Sequence, residues 1–461
     1  MENSNLLVGL DIGTTSVKVV VADADPRGMQ IIGAVASPTK GMRHGKIVDI
    51  AQTADSVKQA LDEAAKKTNT AIHRVVTALP VNLLQLESGA GMINVSDQGS
   101  EVNDHDVASV LSAAVNSAKK SNREAISFLP SRFLIDGKTD VDDPRKMIAH
   151  SLAVQGVLVT APSGELHNFN KVIEKAGYKN NFFVPAPLAI ASVALDEGEK
   201  TFGTILLDCG GGSTAATVIH ENQIKYATVD LEGASDITND ISIVLSTSKT
   251  EAEELKRDYG FAEPELASEK ETFSVKAVGQ DSEQTVNEKY LSEIINARLE
   301  QILKRVGRGL YKHGALSLPG GFVITGGSAL LQGIDDLVSQ GFDVKAKIYQ
   351  PTQIGLRNPI YSVAYGVTNY AYNLADIDFL VNNVIYGTKI IPDHVEDKKA
   401  TGSVKNIKRT SRITESNSNL AYNNNKSDES SSEKKQTKDK KEERNKNRDR
   451  GLSALFKKFF D

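Results

Sequence analysis

The sequence predicts an α/β protein of two related lobes, with a small α+β module inserted in the first and a polar tail after the second. Three observations carry this. Residues 6–21, LLVGLDIGTTSVKVVV, and 203–219, GTILLDCGGGSTAATVI, share one plan: an apolar strand, an aspartate, a small-residue turn and a second β-rich run. Residues 322–334, FVITGGSALLQGI, add a strand, a glycine pair and a helix start. From about Asp393 the composition turns to Ser, Asn, Lys, Glu and Asp, with almost nothing to bury.

The apolar runs of both hairpins are too short for helices and rich in Val, Ile and Leu, which marks them as strands. Their turns, 13–16 and 210–214, let backbone N–H groups and hydroxyls approach an anion closely. Asp11 and Asp208 sit where each first strand ends. Two such carboxylates suit a hydrated Mg²⁺ bridging phosphates, because Mg²⁺ keeps waters and takes few protein ligands. Either stretch alone reads equally well as an ordinary tight hairpin.

At 461 residues the chain is long enough for two or more domains. The net charge of −5 argues neither for nor against nucleic acid. A single cysteine, Cys209, rules out an intrachain disulfide framework and fits a reducing compartment. No basic start followed by an apolar run marks a signal peptide, and no apolar run approaches the roughly 20 residues of a spanning helix.

Further along, residues 30–37 read as a strand, 40–49 as a turn-rich segment, 50–67 as a helix and 73–79 as a strand stopped by Pro80. His44 and His73 lack partners at metal-ligand spacing and read as surface or packing residues. Residues 82–163 hold strands near 91–95, 127–135 and 152–160. Between them lies a helix beginning at Asp104, the expected N-cap, whose stripe Val107, Val110, Leu111, Ala114, Val115 faces a core. A helix over 164–177 ends on glycine, and another begins at residues 185–187 and runs through PLAIASVALDE. Residues 233–240 make a turn and helix start, and 250–259 a helix with Glu253 and Lys256 three apart, the spacing of a common surface ion pair. Two short strands, 273–278 and 285–286, precede a long helix over 289–313. Its apolar stripe is core; Arg298, Glu300, Lys304, Arg305 and Arg308 line the other side, a face most often simply solvated. Residues 341–350 read as a strand, and 359–374 as a helix whose internal Gly366 is tolerable where two helices cross closely.

The three glycine-rich turns together resemble the phosphate and adenosine motifs of the actin/Hsp70/sugar-kinase ATPase superfamily, and the insert narrows the resemblance to the FtsA family of bacterial cell-division proteins. The fold implied is the actin-like one, duplicated RNase H-like domains with an SHS2-like insert. The implied division is 1–81, 164–190 and 363–392 for lobe 1, 82–163 for the insert (1C), 191–232 and 309–362 for lobe 2, and 233–308 for subdomain 2B. ATP and Mg²⁺ are the implied cofactors. Asp11, Gly13, Thr14, Thr15, Ser16, Lys18, Asp208, Gly210, Gly211, Gly212, Ser213, Thr214, Gly233, Glu253, Lys256, Gly326, Gly327, Ser328 and Ala329 would hold the nucleotide, with Asp11 and Asp208 at the metal. Ala186 stands where superfamily members that hydrolyse ATP well carry a water-orienting Glu or Gln, so no catalytic residue is assigned and turnover should be slow; Glu197 or Glu199 at the helix's far end are the alternatives. The resemblance also implies partners: the FtsZ C-terminal peptide, docked on 2B at Arg298 and Arg305; further copies in filaments; and later divisome proteins. Nucleic acid is not among them. The other readings are a sugar kinase, which needs a carboxylate base that no motif supplies, and an actin-like shape-determining or pilus-assembly protein, which lacks this combination of insert, linker and tail.

Residues 393–450 bury too little to offset ordering entropy and are expected to be a disordered linker. The terminal stretch 451–461, GLSALFKKFFD, spaces Leu452, Leu455, Phe456, Phe459 and Phe460 at i, i+3, i+4, i+7 and i+8, with Lys457 and Lys458 beside them. That is an amphipathic helix suited to an anionic membrane surface at the septum; docking on its own domain is the simpler alternative.

Overall fold

The computed structural model describes residues 6–278 and 283–387. The expected linker and terminal amphipathic helix lie outside the described residues.

Lobe 1 opens with β1 (Leu6–Ile12), β2 (Ser16–Asp25) and β3 (Gly28–Pro38), then α1 (Ile50–Thr68) and β4 (Arg74–Leu79). The insert follows: β5 (Gln85–Asn94), α2 (Asp104–Ala118), β6 (Arg123–Ile135), β7 (Thr139–Val141) and β8 (Ser151–Pro162). Lobe 1 resumes with α3 (Ser163–Lys175), β9 (Lys179–Pro185) and α4 (Ala186–Ala194). After α5 (Glu197–Phe202), lobe 2 begins with β10 (Thr204–Cys209), β11 (Thr214–His220) and β12 (Gln223–Asp230). Then come α6 (Ala234–Val244), α7 (Lys249–Tyr259), the hairpin β13 (Thr272–Lys276) and β14 (Glu283–Asn287), and α8 (Glu288–Lys312). The described chain ends with β15 (Phe322–Thr325), α9 (Ile334–Phe342), β16 (Ala346–Ile348), α10 (Ser362–Tyr372) and α11 (Asp376–Tyr386).

The duplication is visible in the sheets. In lobe 1 the strand order is β9-β4-β1-β2-β3, and in lobe 2 it is β16-β15-β10-β11-β12. Each sheet makes an antiparallel three-strand meander and continues across its first strand with two parallel strands. The central strands are buried nearly throughout, as the continuous apolar runs require. Asp11 and Asp208 are each the penultimate residue of that central strand, so equivalent carboxylates emerge at equivalent sheet ends. Asp11 lies opposite Lys18 and Asp208 opposite Ala215.

The lobes meet where α4 and α10 cross. A Cβ on Gly366 would lie 2.2 Å from the Ala189 carbonyl oxygen, so the two backbones touch there. Ser192 Oγ donates to the Gly366 carbonyl at 3.2 Å, and Asn369 Nδ2 to the Ser192 carbonyl at 3.0 Å.

In the insert, the sheet runs β7-β6-β8-β5, and α2 packs its Val107–Val110–Leu111–Ala114 stripe against it. The N-cap of α2 is Asn103, one residue before the expected Asp104. Asn103 Oδ1 accepts from the His105 and Asp106 amides, and Asp106 accepts from the Asn103 amide, a reciprocal pairing Asp104 is out of register to make. Asn103→Ala is expected to destabilise the insert by about 1 kcal/mol, read as faster amide exchange along α2. α11 belongs to the same core: Val381 is buried in it, and Arg145 reaches Asp104 and Asp376 at 3.3 Å each.

Two expected elements differ. α4 stops at Ala194, because Asp196 caps the separate helix α5 by accepting from the Glu199 amide at 2.7 Å. The expected strand over 341–350 shrinks to Ala346–Ile348: residues 341 and 342 finish α9, and Asp343, at φ 54°, ends it in the left-handed region.

Candidate functional site

A cavity of about 1030 Å³ opens between the lobes. The turns of both hairpins form its floor. Asp11, Gly13, Thr14, Thr15, Ser16 and Lys18 enter from lobe 1, and Asp208, Gly210, Gly211, Gly212 and Ser213 from lobe 2. Glu253 and Lys256 line it from α7, and Gly326, Gly327 and Ser328 from the turn after β15.

Three of the expected residues do not line it. Thr214 is already the first residue of β11; its side chain is buried and donates to the Glu232 carbonyl at 3.1 Å. Gly233 stands behind the floor: a Cβ there would lie 2.4 Å from the Gly210 carbonyl oxygen. Ala329 is buried in the lobe 2 core.

At the carboxylate end, Lys18 Nζ is 3.2 Å from Asp11. Asp208 has no such partner in β11. Burial, then repulsion from Asp11, push its carboxyl up to about 6, with Lys18 working against the rise. The site therefore has a deficit of positive charge beside Asp208. Gly326, at φ 89°, carries its backbone past this carboxylate; a Cβ there would lie 2.7 Å from Asp208 Oδ1. Among the described residues, no cluster of three or more His, Cys, Asp or Glu side chains is arranged to hold a metal. A cation here would draw on Asp11, Asp208, water and phosphate oxygens, the ligand set that suits Mg²⁺.

At the opposite wall Lys256 is buried, donating to Glu253 at 2.7 Å, Thr238 Oγ1 at 2.8 Å and the Ala234 carbonyl at 3.0 Å. Burial lowers its pKa and the Glu253 charge opposes that. Both residues line the cavity, with Lys256 buried and the Glu253 side chain 44% exposed.

The sequence reading missed His44. Its Nδ1 lies 3.1 Å from the Gly212 carbonyl oxygen in lobe 2, while Gly45 N donates to Thr14 Oγ1 at 3.0 Å and Asn82 Nδ2 to the His44 carbonyl at 2.7 Å. The turn thus braces both glycine-rich turns of the cavity floor. The one available signal was the pair of glycines around it in KGMRHG, which bring residues 41, 44 and 45 to positive φ. Glu197 and Glu199 fall outside the cavity: Glu199 pairs with Lys347 and Glu197 with Lys200. Ala186 does line it.

Arg298 and Arg305 do not present a bare basic face. Arg298 grips Asp240 with two hydrogen bonds, of 2.5 and 2.8 Å, and Glu232 at 2.7 Å. Arg305 pairs with Asp230 and Glu232. Burial works against the Glu232 charge, but the two guanidiniums outweigh it and hold the carboxyl below its usual range.

Duplicated sheets about one cleft define an actin-like protein, and solved structures agree. The chain in the PilM-PilN type IV pilus biogenesis complex matches with TM-score 0.55 at 18% identity, over 78% of this chain and 97% of that one. MreB5 of Spiroplasma citri bound to ADP matches with TM-score 0.51 at 13% identity, over 80% and 96%. The family model described as "Cell division protein FtsA" matches residues 205–366, and that described as "SHS2 domain inserted in FTSA" matches 82–160. "Cell division protein FtsA" of Enterococcus hirae is 42% identical over 406 residues, 88% of this chain and 92% of that protein. Its counterpart in Bacillus subtilis is 35% identical over 377 residues, 82% and 86%. The chain belongs to the FtsA family of cell division proteins, which sets aside the sugar-kinase reading.

Proposed function

We propose that the chain binds ATP with Mg²⁺ in the interlobe cleft, forms filaments with its own kind, tethers FtsZ polymers to the cytoplasmic face of the membrane at the septum, and recruits later divisome proteins. The observation that carries the nucleotide part is the pair of carboxylates on matching strand ends, one with a lysine and one without, facing a single cavity floored by glycine-rich turns. Asp11 and Asp208 would hold the cation; the 13–16 and 210–213 turns would take the phosphates; Glu253 and Lys256 would meet the ribose and base. Ala186 has no group to orient an attacking water, which supports slow turnover and a nucleotide that acts mainly on conformation.

No described helix is long and apolar enough to cross a membrane. Attachment is assigned to the apolar face of 451–461, namely Leu452, Leu455, Phe456, Phe459 and Phe460, with Lys457 and Lys458 toward anionic headgroups. One short helix binds reversibly, and many on one polymer bind firmly. The intact chain should sediment with anionic liposomes, while a chain ending at Arg450 should stay in the supernatant. Equal sedimentation of the two would remove the tail from the proposal.

A further inference from the structure

The arginine cluster on α8 is joined to the floor of the cleft by a few consecutive hydrogen bonds. Asp230 and Glu232 lie at the end of β12 and just beyond it. The Glu232 amide donates to Asp230 Oδ1 at 3.1 Å, and its carbonyl accepts from Thr214 Oγ1. The next residue, Gly233, stands against Gly210. The Ala234 and Ser235 amides then donate to the Gly210 and Gly211 carbonyls at 3.0 and 2.8 Å. The arginines therefore hold one end of a segment whose other end props the 210–213 turn. Glu232 itself does not line the cavity.

The charges decide what an incoming ligand can do here. Two guanidiniums, Arg298 and Arg305, are paired with three carboxylates, Asp230, Glu232 and Asp240, so both arginines are already matched. An acidic peptide gains no net attraction from arginines that are already matched. It takes a guanidinium only by displacing a carboxylate. Glu232 is the shared one, since it accepts from both arginines.

We infer that an acidic peptide docking at Arg298 and Arg305 displaces Glu232, slackens residues 230–235 and weakens nucleotide binding at the 210–213 turn. The two sites are negatively linked through this segment, and by reciprocity nucleotide weakens the peptide by the same factor. The inference rests on the nucleotide and peptide readings above and adds the connection between them.

The test uses the full chain, a fluorescent ATP analogue with Mg²⁺, and a synthetic FtsZ C-terminal peptide. Saturating peptide should raise the dissociation constant of the analogue about fivefold or more, and saturating ATP should raise that of the peptide equally. Glu232→Gln should bind peptide more tightly and ATP less tightly than the parent, with linkage reduced below about twofold. Asp240→Asn frees Arg298 from Asp240 but leaves its bond to Glu232, so it should tighten peptide binding while the linkage to ATP stays at about fivefold or more. Independent binding of both ligands to the parent, or full linkage in the Glu232 variant, overturns the inference and leaves the cleft reading standing. ATP binding with no peptide binding also overturns it, by removing the docking site. Failure to bind the ATP analogue at all overturns the cleft reading, and the inference with it.

Discussion

Asp208→Asn is expected to make the nucleotide-free protein more stable near neutral pH and, at the same time, to abolish its stabilisation by Mg²⁺-ATP. Burial and the Asp11 carboxylate raise the Asp208 carboxyl to about 6 in the folded state. An unfolded aspartate titrates near 3.9. Between these values the folded chain holds a proton that the unfolded chain has released. Stability of the free protein therefore falls as pH rises through about 4 to 6, and above that window the folded state carries a penalty of about 3 kcal/mol at most. Asparagine has nearly the same shape and no charge, so it removes the penalty. It also removes one of the two ligands proposed for the cation, whose binding would offset the penalty in the loaded protein. Thermal melts from about pH 4.5 to 8, with chelator and with Mg²⁺-ATP, check both halves. A variant that melts below the parent near neutral pH, or that keeps the full Mg²⁺-ATP shift, rules out the two-carboxylate cation site.

The second large effect lies at the lobe crossing. Glycine inside a helix normally costs about 1 kcal/mol against alanine, so Gly366→Ala in α10 ought to stabilise. The opposite is expected. The added Cβ would lie 2.2 Å from the Ala189 carbonyl oxygen and 2.5 Å from its carbon, both backbone atoms of α4. Backbone cannot swing aside as a side chain does, so the helices must part, at a cost of about 1–3 kcal/mol beyond the propensity gain. Gly164, in the first turn of α3, has nothing within 4 Å of its would-be Cβ and is the control. Gly164→Ala should be neutral or slightly stabilising, and Gly366→Ala should lower the urea midpoint. Equal midpoints would mean that the crossing is looser than it stands here.

What was legible in the sequence is what is local. A run of Val, Ile and Leu that ends in aspartate and small residues specifies strand, carboxylate and turn within a dozen positions, and it recurs in lobe 2. The helical stripe of α2 was equally plain. The missing parts depend on contacts made across the chain. Nothing near His44 in the sequence points to Gly212. A helical wheel puts Arg298 and Arg305 on one side of α8, but Glu232 and Asp240, which neutralise them, come from another segment. The 341–350 stretch failed because alternation through Phe342, Val344 and Ala346 suits a strand, whereas the left-handed turn at Asp343 splits it between a helix end and three strand residues. Glu253 and Lys256 have the spacing of a surface pair, and only the cavity wall around Lys256 distinguishes their setting.

The place of α11 has a mechanical consequence. Whatever load arrives from the chain beyond Gly387 enters through a helix seated on α2, with Arg145 clamping Asp376 and Tyr386 Oη donating to the Ile126 carbonyl at 2.8 Å. A pull there is shared between the insert and lobe 1, because the Tyr386 hydroxyl also lies 3.4 Å from the Phe183 amide and carbonyl of β9 and its ring lies against Phe182. Any shortened version meant to keep the insert intact must therefore retain the chain through Tyr386, since cutting ahead of Asp376 strips one wall from a module whose helix α2 ends 258 residues upstream.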